Sequence, residues 1–430
     1  MKHLSTIFAS IYLIISLLLV LVAYIGSLFS ASFIVGFWQV FLWVNIISFA
    51  VFCILSLLYT KVIFKNKLVV LGKVSFGVGL IILLALNLFV FLPITSERTV
   101  KNIPSDTSFW KTEITYSDMQ EENKTVKTEI AYKMYKADPS VQKKPNPIVM
   151  LHGGPGAFVV GLGVSNDFYK QFTKLGYDVY LYDQTGTGLS ARLDDTRDYN
   201  YKFLTAELEK IRNLINAEKM VIIGESWGGG LGSNYNAYYP GKVEKIIFLN
   251  PVAIDTPRIG VADFDMSKTN APDNLGGKLA NEILFRPRAA VSFVWSQNNE
   301  SRDAAKALYP DNEADYVADK QFLLQAPNAV CKGEKLSDEI SKLKGSGAWS
   351  QISTNSSLAA RNDDPISLLK KTNTPALYVS TECDFIPEKI DAQYQDAYKN
   401  LRFEYIKGAG HIPYFQKFEE TTDVVTSFIK

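Results

Sequence analysis

Three long apolar runs dominate the start of the chain, at residues 6–29, 33–58 and 74–92. None holds an acidic or basic side chain, and each reaches the ~20 residues needed to cross a hydrocarbon core ~30 Å thick. They predict three transmembrane helices within a membrane region covering 1–93. Lys2, His3 and Ser30-Ala31-Ser32 are the marks a cleaved signal peptide would carry. The first run, however, exceeds the roughly 7–15 apolar residues usual for such a peptide, and two further runs follow it.

Beyond residue 93 the pattern changes. Residues 94–110 are polar and read as a linker. Residues 111–116 and 127–135 alternate polar and apolar side chains, as an antiparallel pair does. Short apolar runs then recur at 147–151, 178–182, 220–223, 245–249 and 376–380, the pattern of buried parallel strands. Helical patterns separate them, notably at 203–217 and 231–239. This order predicts an α/β sheet covered by helices on both faces, with its core in 111–253 and 367–430. The alternation breaks between 254 and 366, a mostly helical, polar-rich stretch expected to be a cap inserted into the core.

The chain has 430 residues, 47% of them apolar, and its mean hydropathy of +0.03 is high for a soluble protein of this length. Its 45 basic and 44 acidic residues argue against a nucleic-acid binder working through bulk positive charge, and against an acidic disordered chain. The distribution is uneven. Residues 1–93 hold Lys2, Lys61, Lys65, Lys67 and Lys73 and no acid, which leaves −4 on the remainder. Four of those lysines lie between the second and third apolar runs, and Lys2 precedes the first. The lysines place that loop and the N-terminus in the cytoplasm. Three crossings then deliver everything after residue 93 to the extracytoplasmic face of a multi-pass protein, with the lipid bilayer as a partner.

The chemistry-bearing residues lie at strand ends. Gly224-Glu225-Ser226-Trp227-Gly228 follows the 220–223 strand and precedes a helix, the context in which G-x-S-x-G lifts a serine out of the sheet as a nucleophile. A base must accompany it, and the histidines are His3, His152 and His411. His3 precedes the first apolar run, and His152 opens His152-Gly153-Gly154-Pro155-Gly156 after the first parallel strand. His411 follows a 403–406 strand, where the order serine, acid, histidine requires the base. Asp384, in the loop after the 376–380 strand, is the favoured acid, with Glu382 and Asp391 as competitors. Donors for an oxyanion are expected from the backbone N–H of Trp227 and of Gly154, or Gly153 in its place. No spacing suggests a metal ligand set, and no cofactor is called for. Cys331 and Cys383, outside the apolar runs, can pair in an oxidising compartment, though two cysteines alone do not establish a bridge.

HGGPG at 152–156, Asp183-Gln184-Thr185-Gly186-Thr187-Gly188-Leu189-Ser190, GESWGG at 224–229 and GAGH at 408–411 together resemble the proline iminopeptidase group of α/β-hydrolases. The resemblance runs from about residue 112 to the C-terminus. It implies an α/β-hydrolase fold with a helical cap, and a serine aminopeptidase in which Ser226, Asp384 and His411 form the triad. The substrate would be a short peptide with a free N-terminus, often proline. The group usually carries an arginine where Thr185 stands, and a tryptophan-rich cap segment with a glutamate that binds the substrate ammonium. Trp295-Ser296-Gln297-Asn298-Asn299-Glu300 is the nearest match here, and Glu300 the expected amine ligand. Glu282, Asp311, Glu313 and Asp315 are further acids of the insertion. An esterase acting on acyl esters is the alternative within the same fold, and a non-catalytic membrane binding protein the alternative outside enzymes.

Overall fold

The computed structural model describes residues 2–30, 37–63, 68–91, 103–117, 122–255, 264–284, 286–296, 302–336 and 344–430. The chain divides into two compact units, one of residues 1–95 with 283–313, the other of 96–282 with 314–430.

The first unit starts with helices α1 (Lys2–Ser30), α2 (Phe37–Ile63) and α3 (Leu68–Phe91). One polar residue from each meets the others: Asn45 and Asn87 exchange amide hydrogen bonds at 2.6 and 2.8 Å, and Tyr24 Oη donates to Asn87 Oδ1 at 3.3 Å. Interhelical polar pairs of this kind fix which faces of apolar helices meet. Outward-facing positions are apolar, with Ile81 67% and Ile46 63% exposed. Side chains at 2–13, 56–63 and 68–76 lie outside the description, and among the described residues no helix is long and apolar enough to cross a membrane. The three predicted spans therefore rest on the sequence alone.

The second unit is built on an eight-stranded sheet in the order β1-β2-β4-β3-β5-β6-β7-β8. Its strands are β1 (Ser108–Tyr116), β2 (Lys124–Tyr135), β3 (Ile148–Leu151), β4 (Val179–Tyr182), β5 (Met220–Glu225), β6 (Val243–Leu249), β7 (Ala376–Cys383) and β8 (Leu401–Gly410). The first two pair antiparallel with each other, β2 pairs antiparallel with β4, and the rest run parallel. β3 and β5 are buried along their whole length, which is why they read as unbroken apolar runs rather than alternation. β1 starts three residues earlier than the polar–apolar alternation suggests, so 108–110 is strand rather than linker. The Trp110 ring stacks on Tyr132 of β2 at 3.6 Å, and that contact extends the pairing.

Helices α4 (Gly163–Lys170), α5 (Tyr201–Leu214) and α6 (Trp227–Tyr238) connect the middle strands. Asn200 caps α5 by accepting from the Phe203 N–H at 2.9 Å. Between β6 and β7 come α7 (Leu275–Leu284), α8 (Pro287–Ser296), α9 (Arg302–Leu308), α10 (Asp311–Gln325), α11 (Ala348–Ala359) and α12 (Pro365–Leu369). α8 and α9 belong to the first unit, where they pack against α1–α3. Arg288 of α8 donates to the Phe91 carbonyl at the end of α3 at 2.9 Å and pairs with Glu313 at 3.1 Å. α13 (Lys389–Ala397) and α14 (Phe418–Ile429) flank β8. Cys331 and Cys383 are joined by a disulfide, with Cα atoms 5.1 Å apart. It ties the segment after α10 to the end of β7.

Candidate active site

β5 ends at Glu225 and α6 begins at Trp227, leaving Ser226 alone to make the reversal. Its φ of 51° lies in the left-handed region, a strained state for a residue with a side chain. Neighbouring backbone holds it there. The Ser226 N–H donates to the Leu249 carbonyl, and the Ser226 carbonyl accepts from Val252 and Gly229, each at 3.0 Å. The turn leaves no room for a side chain at Gly228, where a Cβ would stand 1.9 Å from the Leu151 carbonyl oxygen.

His411 follows β8, and its Nδ1–H donates to Asp384 Oδ1 at 2.7 Å. Both side chains are more than nine-tenths buried. The competing acids are engaged elsewhere: Glu382 accepts from the Gly408 N–H at 2.8 Å, and Asp391 from Tyr378 Oη at 2.6 Å. Asn250, also at positive φ, donates through Nδ2 to the His411 carbonyl at 2.8 Å and to Thr381 Oγ1 at 2.9 Å. The Leu249-Asn250 pair thus grips the Ser226 turn on one side and the His411 loop on the other. Gln416 Oε1 accepts from Gly410 at 2.8 Å and Cys331 at 3.1 Å, fixing the same loop from beyond the histidine.

His152 has a different part. Its Nε2 accepts from the Gln184 N–H at 3.0 Å, so the proton sits on Nδ1, facing the Gly153 carbonyl at 2.9 Å. Burial pushes its pKa below the ordinary value. Gln184 extends the bracing, donating to the His152 carbonyl at 3.1 Å and accepting from Trp227 Nε1 at 3.1 Å. Asp183 receives the N–H groups of Val159, Val160 and Leu189 at 2.7–2.9 Å. These residues knit the 152–156, 183–190 and 224–228 loops into one rim. Gly153 lies against the serine, with a Cβ there only 3.1 Å from Ser226 Cβ. The N–H groups of Gly154 and Trp227 have no protein acceptor among the described residues.

The acids of the insertion are largely engaged. Asp315 takes Arg192 at 2.9 Å and the Ala348 N–H at 2.8 Å, Glu313 takes Arg288, and Asp311 takes Lys306 at 3.1 Å. Asp319 accepts from Gly345 and Ser346 N–H at 2.9 and 2.8 Å. Its place four residues after Asp315, on the same helix face, is the sequence signal for it. Glu300 lies outside the described residues. Among the described residues no group of three or more His, Cys, Asp or Glu could hold a metal ion.

A model of the alpha/beta hydrolase fold matches residues 146–418. The chain belongs to the alpha/beta hydrolase fold family. It is 24% identical over 283 residues to a proline iminopeptidase of Heyndrickxia coagulans, covering 66% of this chain and 90% of that protein. With a proline iminopeptidase of Lactobacillus delbrueckii subsp. lactis it shares 25% identity over 296 residues, again 66% of this chain and 90% of the relative. Among solved structures, a thermophilic esterase from Thermogutta terrifontis superposes with a TM-score of 0.47 at 15% identity, covering 74% of this chain and 98% of the esterase.

One buried acid in this hydrolase stands beneath Thr185. Glu207 accepts from the Thr185 N–H at 3.1 and 3.4 Å, and burial pushes its pKa up to about 7 from an ordinary 4.5. A carboxyl raised on folding retains its proton longer in the folded than in the unfolded state. Its contribution is therefore fully present below pH 4.5 and lost as pH rises through 7. Urea unfolding of wild type should show a loss of about 3 kcal/mol across that window, absent in Glu207→Gln. Parallel curves for the two proteins would refute this.

Proposed function

We propose that this hydrolase is a membrane-anchored serine aminopeptidase that releases N-terminal residues from short peptides through an acyl-enzyme. Ser226 attacks the scissile carbonyl, and His411 takes its proton and returns it to the departing amine. Asp384 holds the imidazole in the tautomer that leaves Nε2 able to accept that proton, and stabilises the imidazolium that results. The N–H groups of Gly154 and Trp227 receive the negative charge of the tetrahedral intermediate. Water, activated by His411, then releases the acyl group. These steps need only side chains, backbone N–H groups and water.

The observation that carries this is the 2.7 Å His411–Asp384 pair, on a loop that Leu249-Asn250 ties to the positive-φ turn at Ser226. The aminopeptidase assignment draws on the relatives named proline iminopeptidase and on the joint presence of HGGPG and the 183–190 motif. The engagement of Asp311, Glu313 and Asp315 by basic side chains favours a second reading, an esterase whose acyl substrate brings no ammonium. The full chain in detergent should be given prolyl, alanyl and leucyl anilides, an N-blocked prolyl anilide and short acyl esters. Turnover of the free-amine anilides alone is the expected result. Ester turnover alone would select the second reading, and silence on the whole panel would reject hydrolysis of either kind.

We further propose that residues 254–366 act as a cap on the core, that residues 1–93 anchor the chain in the bilayer, and that the hydrolase unit faces outwards. Large apolar side chains such as Val22, Ile46 and Ile81 are exposed on the three helices, a surface suited to lipid. The Cys331–Cys383 bridge suits an oxidising compartment. A C-terminal tag should be removed by protease added to intact cells, and a protected tag would reverse the orientation.

A further inference from the structure

Glu225, immediately before the serine, is a buried carboxyl without a part in the scheme above. It ends β5 in the middle of the sheet and is only 5% exposed. Tyr169 of α4 and Tyr414, in the turn after β8, both donate their hydroxyls to its Oε1, each at 2.6 Å. O–H···O contacts that short, converging on one oxygen, have the dimensions of charge-assisted bonds to a carboxylate. The clamp is itself braced. Tyr414 Oη shares a hydrogen bond with Ser165 Oγ at 2.8 Å, and its ring lies flat on Phe168 with centroids 4.3 Å apart.

Tyr414 stands three residues after His411, so the clamp joins the strand that ends at the nucleophile to the loop that carries the base. The titratable groups facing Glu225 are Tyr169 from α4, and Tyr414 and His411 from the segment after β8. Asp384 lies beyond His411. Burial pushes the Glu225 pKa up, while the two phenols and the charge of His411 oppose that rise. On taking the proton of Ser226 or of water, His411 becomes an imidazolium. A fixed anion in a water-poor site stabilises that transient charge without having to reorganise.

Building on the serine-hydrolase reading, we propose that Glu225 is a positioning residue for the reaction. It is a second buried anion that steadies the His411 imidazolium, and through Tyr414 it keeps the His411 loop in register with Ser226.

The test is the rate of Ser226 labelling by a fluorophosphonate across pH 5–10, with the full chain in detergent. Glu225→Gln keeps the shape and an acceptor oxygen but removes the charge. Its labelling rate on the high-pH plateau should fall about tenfold or more. The acid limb of its labelling profile should move roughly half to one unit lower, because the neighbouring anion no longer favours the cationic form of the site. Tyr169→Phe and Tyr414→Phe each remove one donor and should give smaller shifts of the same sign, readable even if the glutamine variant does not fold. An acid limb unmoved in every folded variant overturns the proposal, whatever the loss in rate, and reduces Glu225 to a packing role. A wild-type chain that takes no label at Ser226 removes the serine-hydrolase reading and this proposal together.

Discussion

Replacing Ser226 by alanine should lower kcat on any substrate that the chain turns over by on the order of 10⁶, with little change in thermal unfolding. The reason lies in how the residue is held. The left-handed turn at 226 is fixed by backbone bonds to Leu249, Val252 and Gly229, none of which uses the hydroxyl. Alanine meets the same backbone strain as serine and removes only the nucleophile. His411→Ala should cost a similar factor, and the double variant should be hardly worse than either single one, because the two groups act in one step. What survives should come from the oxyanion donors and from substrate binding. A Ser226→Ala protein retaining more than about a hundredth of wild-type kcat would place the nucleophile elsewhere.

Asp384→Asn should cost about 10⁴ in kcat while leaving the fold intact. Asparagine at 384 can turn its amide N–H toward His411 Nδ1, which drives the ring proton to Nε2, the atom that must receive the serine proton. The factor therefore measures a wrong tautomer rather than a lost contact. Glu382→Gln and Asp391→Asn provide the comparison. Their carboxylates serve Gly408 and Tyr378, and each variant should stay within about tenfold of wild type. A large loss in either, with Asp384→Asn nearly unchanged, would transfer the orienting role.

Much of this site is legible in the sequence because it depends on short-range rules. A serine in G-x-S-x-G between a buried strand and a helix specifies its own turn, and the positive φ at 226 is that turn in three dimensions. The parallel strands show as apolar runs because both faces of β3 and β5 are covered. Loop position favours Asp384 over Glu382 and Asp391 in the sequence; in three dimensions Asp384 accepts from His411, Glu382 from Gly408 and Asp391 from Tyr378.

The remainder depends on contacts between distant parts of the chain. Asn250 looks like an ordinary loop residue after a strand, yet it holds the carbonyl of a histidine 161 positions away. The 183–190 motif could be recognised, but its physical task of bracing the rim through Asp183 and Gln184 appears only when β3, β4 and β5 lie side by side. Two cysteines 52 residues apart do not establish a bridge until the segment after α10 meets the end of β7. That 283–313 groups with α1–α3 was likewise hidden, because the composition of the insertion changes little at its edges. The start of β1 at Ser108 is hidden for a related reason, since the alternation weakens at 108–110, where Trp110 stacks on Tyr132.

The central claim is that Ser226 is the nucleophile of a working triad. Its most direct test is to treat the full chain with a fluorophosphonate, digest it and locate the adduct by mass spectrometry. One adduct on Ser226 is the expected result, abolished in Ser226→Ala and strongly slowed in His411→Ala. An unlabelled Ser226 in folded protein, or labelling that persists in the alanine variant, would contradict it.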